Sequence, residues 1–112
     1  MLNYKIYIDD ILNAIDKIEK SIEDLSEKVF EKKEDIWDAT LMRIQVIGES
    51  IKKIPFRIKK KYPEIEWKRF SNTRDIISHA YSQVNKLIIW NLIKNKLSIL
   101  KEQIQKIKDE LN

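Results

Sequence analysis

The chain reads as an all-α protein, an antiparallel up-and-down bundle of four to five helices, and three observations carry that reading. Apolar residues recur at spacings of three and four along most of its 112 residues; one glycine and two prolines are all that interrupt them; and no segment alternates apolar and polar residues as a half-buried strand would. Helices with isoleucine on one side and lysine and glutamate on the other gain most of their stability by burying the apolar stripe against similar stripes, and that is the condition for a bundle.

The first helix starts at about Tyr4 and runs into the twenties, with Ile8, Ile11, Leu12, Ile15, Ile18, Ile22, Leu25 and Val29 on one stripe. Polarity rises from Ser26 to Glu34, so the chain turns there, although no Gly or Pro fixes the boundary. A second helix carries Ile36, Leu41, Ile44, Ile47, Ile51 and Ile54 and ends near Ile54, because Pro55 has no amide hydrogen to continue it. Gly48 inside this helix costs about 1 kcal/mol relative to alanine, so it reads as a position where another helix comes close. Glu49 precedes Lys53 by four residues and is explained first by a solvent-facing ion pair; proximity to a functional cleft is the sharper alternative.

Between Pro55 and Pro63 lies a basic connection with room for a short helix. Its Arg57, Lys59, Lys60 and Lys61 read as solvated surface before they read as a track for a nucleic acid. Residues 64–70 supply another helical turn or two, with Trp67 as a core anchor rather than a base-stacking platform. Asn72 then reads as the N-cap of a new helix, with Asp75 three residues on completing a capping-box-like pair, and Arg74 falls in its first turn. Val84, Leu87, Ile88, Leu92, Leu97, Leu100, Ile104, Ile107 and Leu111 continue helix to the C-terminus, with an interruption near Asn91 or Asn95. Without a repeat, a low-complexity tail or a Gly/Ser linker, residues 1–112 read as one domain.

Composition excludes several functions. Charged residues are 36% of the chain, well above the usual quarter, but 43% are hydrophobic, so the expectation is a densely charged surface over a core rather than disorder. A net charge of +4 is compatible with a nucleic-acid partner without selecting one. With no cysteine and one histidine, thiolate and multi-histidine metal sites are ruled out, and neither a metal nor another cofactor is expected. No apolar run approaches the roughly 18 residues of a membrane span, and the N-terminal MLNYKIYIDD lacks the pattern of a signal peptide, so a cytoplasmic protein is expected.

Chemistry concentrates in Arg74-Asp75-Ile76-Ile77-Ser78-His79-Ala80-Tyr81, which holds the only histidine. Arginine offers a permanent charge in a planar fork that fits phosphate, and an imidazole exchanges protons near neutral pH. Judged by spacing alone, the two are more often an ion-pair former and a partly buried polar residue. On an ideal helix, five residues separate Arg74 from His79 by about 140° beyond a full turn, whereas Tyr81 comes nearly back into line with Arg74. Either the long arginine reaches around, or a second copy across a two-fold axis completes the cleft, and the second option is favoured.

The segment has the form R-x4-H-x-Y, written here as Arg74, His79 and Tyr81, and it resembles the signature of the HepT-like toxins of the HEPN superfamily. RIQVIGES (Arg43 to Ser50) is similar to that family's arginine-to-GEA block, Tyr62 to Trp67 resembles its Y-P-x-I-P-W segment, and Val84 and Trp90 fall at its apolar and tryptophan positions. The resemblance covers roughly residues 40 to 92 in order; Ser50 stands for the usual alanine, Glu66 for proline and Asp75 for a common asparagine.

The resemblance implies a HEPN-type bundle that forms a homodimer with two motifs facing one cleft, and a metal-independent endoribonuclease acting as the toxin of a toxin–antitoxin pair. It implies RNA as substrate, and as partner an antitoxin of the MNT type, a minimal nucleotidyltransferase that transfers AMP to Tyr81. Arg74 and His79 would then be the catalytic pair, with Asp75, Ser78 and Glu49 supporting them. Two other classes of function stay open from sequence: a non-catalytic module that docks a minimal nucleotidyltransferase, and a helical scaffold without nucleic-acid business.

Overall fold

The computed structural model describes residues 4–111. Its long helices are α1 (Tyr4–Ile22), α3 (Glu34–Lys53), α5 (Trp67–His79), α6 (Lys86–Asn95) and α7 (Leu97–Leu111), with two short ones, α2 (Glu27–Lys32) and α4 (Phe56–Lys59), and one 3-10 turn, Tyr81–Gln83. There is no strand among the described residues. The all-α bundle expected from the apolar spacing is therefore what forms.

Helix α3 is the spine, packed on α1 along one side and on α5 along the other; α7 lies against α1, and α6 turns back on α7. Ile8, Ile11, Ile15 and Ile18 of α1, Leu41, Ile44 and Ile47 of α3, and Leu97 and Ile104 of α7 are wholly buried. Each such side chain contributes about 1.5 to 3 kcal/mol by leaving water, which outweighs the weak intrinsic helix preference of isoleucine. At one end, Phe30 of α2 meets Trp37 edge-on at 5.7 Å and lies tilted on Trp90 at 5.1 Å.

The boundaries follow local chemistry. Ser26 accepts the amide of Val29 and starts α2 within the polar stretch where a turn was expected. Helix α3 ends at Lys53, with Ile54 extended before Pro55. Asn85 caps α6 by accepting the amide of Ile88, and the break between α6 and α7 falls at Lys96, next to the Asn95 position read from sequence.

One boundary differs. Helix α5 begins at Trp67, not Asn72, so Asn72 lies inside the helix with its side chain exposed, and Arg74 occupies the second half rather than the first turn. Tertiary burial overrides the local cap: Trp67, Phe70 and Ile77 share a buried stripe, and the Trp67 indole donates to the Tyr62 carbonyl at 3.1 Å, holding the helix start against the preceding loop. Arg69 donates twice to Glu66, at 2.9 and 3.1 Å, which stabilises the first turn without a side-chain cap.

Gly48 is where α3 and α5 come closest. A Cβ at this position would lie 2.3 Å from the Cβ of Arg74 and 2.8 Å from the Phe70 carbonyl oxygen, neither of which is the mobile end of a side chain. The missing side chain thus seats Arg74 against α3, as the cost of a mid-helix glycine led us to expect. At the other end of α5, Tyr62 donates to Glu110 at 2.5 Å and ties the loop after α4 to α7. That bond, more than burial, raises the Tyr62 phenol from 10.0 to about 12.

Gly48→Ala is expected to destabilise the fold by about 1 to 2 kcal/mol, since overpacking exceeds the about 1 kcal/mol gained in helix propensity; a thermal melt with an unchanged or raised Tm would contradict this. The Tyr62 shift has its own signature. Because the folded value lies above the unfolded one, the Glu110 bond contributes fully below pH 10 and is lost as pH rises towards about 12. Denaturant unfolding across that range should show Tyr62→Phe losing part of the wild-type slope.

Candidate active site

Helix α5 carries Arg74 and His79, and Tyr81 follows in the 3-10 turn after it. Arg74 and Ser78 are four residues apart and Tyr81 follows three later, so they form one stripe, with Asp75 at its side. Opposite, Asp38, Gln45, Glu49 and Lys52 form a matching stripe on α3. The two helices run antiparallel, and the stripes meet as a ladder of polar contacts.

Arg74 pairs with Glu49 at 2.9 Å and reaches its neighbour Asp75 at 3.3 Å. Lys52 pairs with Asp75, the Ser78 hydroxyl donates to Gln45 at 3.0 Å, and the Tyr81 hydroxyl donates to the Asp38 carboxylate. Glu49 also stands 4.0 Å from Lys53, the ion pair read first from sequence, with the arginine contact the tighter. The Lys52 hydrogen bond holds the Asp75 carboxyl below the usual carboxylate range, against a smaller opposing push from burial, with Arg74 adding to the effect. Asp75 is therefore anionic at neutral pH and already engaged by two cations.

Asp38, Gln45 and Lys52 were not singled out from sequence. Their signal was present as a polar stripe at intervals of seven, four and three along α3, but such a stripe reads equally as the solvated face of a helix. Only the arrival of α5 distinguishes the two.

The Arg74 side chain is 27% exposed and forms the wall of a cleft of about 310 Å³ shared with Tyr7, Asp10, Gln45, Val46, Glu49, Ser50 and Lys53. Its Nε is buried with no hydrogen-bond partner among the described residues, so the guanidinium uses its donors incompletely. His79, the last residue of α5, is exposed, and no hydrogen bond engages its ring among the described residues. Within one chain the geometry brings Arg74, Asp75, Ser78, Glu49 and Tyr81 onto one edge and leaves His79 apart from Arg74 around the helix.

Tyr81 begins the 3-10 turn after α5 and is 49% exposed. Ala80, with φ −144° and ψ 47°, leaves the helical path and swings the tyrosine back towards α3. Donation to Asp38 favours the protonated phenol and raises its pKa, with burial a lesser cause and the charges of Asp38 and Glu34 adding to it. Asp38 is thus the nearest proton acceptor to the Tyr81 oxygen. Among the described residues no group of three or more His, Asp or Glu is arranged to hold a metal ion, and no helix is long and apolar enough to cross a membrane.

A family model described as "Ribonuclease HepT-like" matches residues 11–107. A Methanocaldococcus jannaschii protein named "Gamma-glutamylcyclotransferase and putative RNase" is 39% identical over 108 residues, 96% of this chain and 49% of that protein, so the chain spans about half that relative's length. A second protein of the same organism, named "Putative RNase", is 34% identical over 107 residues, covering 96% of this chain and 92% of its own. A "Probable ribonuclease HepT" of Thermococcus cleftensis is 30% identical over 106 residues, 95% and 96% of the two chains. No solved structure matches the chain.

If Asp38 sets the Tyr81 phenol, Asp38→Asn should lower that pKa towards its ordinary value. Spectrophotometric titration of the phenols would register one group moving down; an unchanged curve would break the link between the two residues.

Proposed function

Because the chain belongs to the HepT-like ribonuclease family of the HEPN superfamily, we propose that it is a metal-independent endoribonuclease, the toxin of a toxin–antitoxin pair, with Arg74 and His79 as catalytic residues. The observation that carries this reading is the ladder along α3. It fixes Arg74 in a cleft wall and leaves His79 in solvent at the helix end, so the guanidinium is held while the imidazole is free to meet a substrate.

In this reading the 2′-oxygen of a ribose attacks the adjacent phosphorus, a base takes the 2′-hydroxyl proton, and the bond to the 5′-oxygen of the next nucleotide breaks as that oxygen gains a proton. Imidazoles suit both transfers. Arg74 would exchange Glu49 for the scissile phosphate and meet the negative charge that grows on it, a gain of several kcal/mol in a site poor in water. Glu49 holds the guanidinium until the phosphate arrives, Asp75 keeps it oriented afterwards, and Ser78 fixes the rung between α5 and α3.

Arg74 and His79 lie on different sides of α5, which favours a homodimer in which each chain supplies part of one cleft. Apolar surface beside the motif supports this: Ile76 is 56% exposed and Ile88, across a groove from Thr73, is 66% exposed. Burying them against a second copy would give that surface the partner it lacks in one chain.

The proposed antitoxin is a nucleotidyltransferase that silences the protein by transferring AMP to Tyr81. The phenolic oxygen attacks the α-phosphorus of ATP, pyrophosphate leaves, and Asp38 is positioned to take the phenolic proton. The product replaces the Tyr81–Asp38 hydrogen bond by a phosphodiester beside a carboxylate, so repulsion would drive the nucleotide away from α3 and over the substrate site.

Purified protein should cut single-stranded RNA in the presence of EDTA. His79→Ala is expected to lower the rate by about 10² to 10⁴, and Arg74→Ala by about 10² or more, with circular dichroism unchanged. Cleavage that persists in both variants would reject their roles. Co-expression with the nucleotidyltransferase should add the mass of AMP, and Tyr81→Phe should abolish the addition; adducts retained in that variant would place the acceptor elsewhere. A stable complex with the nucleotidyltransferase, but no cleavage by the unmodified protein, would favour a docking module instead.

A further inference from the structure

We propose that the connection between α3 and α5, residues 55–61, is a second RNA-contacting site, where Phe56 stacks on an unpaired base flanking the cleavage position and Arg57, Lys60 and Lys61 contact its phosphates. It rests on the ribonuclease reading only for the claim that the strand continues into the Arg74 cleft. The sequence alone favours a solvated basic run here; the structure adds three observations.

The first is an exposed aromatic ring. Phe56 is 74% exposed, more than any other large apolar side chain described. The reason is local: Ile54 and Ile58 are 2% and 3% exposed and pin this turn to the core. With Ile58 inward, Phe56 and Lys60 fall four residues apart on the outer side, as do Arg57 and Lys61. A phenyl ring in water next to ammonium groups is unfavourable for a free surface and suited to a base, which offers a π-face above and a phosphate beside it.

The second is charge without counter-charge. Residues 50–63 hold six cations and no acid. Two of the six, Lys52 and Lys53, belong to α3 and pair with Asp75 and Glu49. Arg57, Lys60 and Lys61 have no carboxylate within 4.0 Å among the described residues. A fourth cation, Lys59, is partly buried, which lowers its pKa, whereas the other three point outward.

The third is continuity. Lys53, in the last turn of α3, lines the same cleft as Arg74, and Phe56 follows three residues later. From Gly48, which touches Arg74, five residues at the helical rise carry the chain about 7.5 Å along the axis to Lys53, and Phe56 lies just beyond the helix end. Anionic lipid would also attract lysines and a phenylalanine, but it would not require the patch to run into a narrow cleft with an arginine wall. A single strand would, and only an unpaired base can leave its stack to lie on the ring.

The test is binding of uncleavable, fully 2′-O-methylated single-stranded RNA followed by fluorescence anisotropy, so it does not depend on catalysis. For a strand of about ten nucleotides, Phe56→Ala should weaken affinity about tenfold and Phe56→Trp should restore it. For a trinucleotide, which cannot span both sites, the loss should disappear. Replacing Arg57, Lys60 and Lys61 together by Gln should flatten the dependence of log affinity on log salt by about 2, from roughly 0.7 per lost phosphate contact. Wild-type affinity of Phe56→Ala for the long strand would overturn the proposal, as would equal losses on both lengths. It would also fall if Phe56 were needed for binding phosphatidylserine vesicles but not RNA. Absence of cleavage by the wild type on unmodified RNA would instead count against the ribonuclease reading and leave these affinities meaningful.

Discussion

The contact on which the molecule's chemistry depends is the approach of α5 to α3 at Gly48. Because no Cβ stands there, the Phe70 carbonyl and the Arg74 stem lie directly on the α3 backbone. That closeness sets the separation of the two helices, and with it the reach of every side chain from one edge to the other. Glu49 meets Arg74, Lys52 meets Asp75 and Gln45 meets Ser78 as consequences of one spacing. A wider separation would leave these polar groups in water, and exposed ion pairs are too weak to draw two helices together unaided. The apolar stripes hold the helices and the glycine sets the distance; the ladder then orients the guanidinium.

Orientation matters because the candidate catalytic groups are few. One candidate arginine, Arg74, and the chain's one histidine, His79, leave little redundancy. The guanidinium is held by the carboxylates of Glu49 and Asp75, and no hydrogen bond engages the imidazole among the described residues. Tyr81 is separated from both by the break at Ala80, which returns it to α3 and to Asp38. One edge of one helix pair thus presents the guanidinium and the phenolic hydroxyl to which the proposed function assigns phosphate binding and modification.

Much of this was legible beforehand. Apolar spacing located α1, α3 and α7 closely, Pro55 marked the end of α3, and the isolated Gly48 announced a close approach. The resemblance of Arg74, His79 and Tyr81 to the HepT-like signature identified the family that the comparisons establish. The start of α5 was misread because Asn72 and Asp75 look like a cap, and a local rule cannot weigh that pattern against the burial of Trp67 and Phe70. Glu49 was assigned first to Lys53, its neighbour in sequence, since a partner on another helix leaves no mark in the spacing.

What the sequence by itself determined is therefore periodic or punctuated: which faces are apolar, where proline stops a helix, where glycine admits one, and which motif the chain carries. What only the tertiary structure decided is pairing across elements. Asp38 with Tyr81, Gln45 with Ser78 and Lys52 with Asp75 join residues far apart in the chain, and the exposure of Phe56 follows from the burial of Ile54 and Ile58 on either side of it. Periodicity fixes the direction of a side chain relative to its own helix; its partner depends on the separation and register of two helices, which the packed core sets.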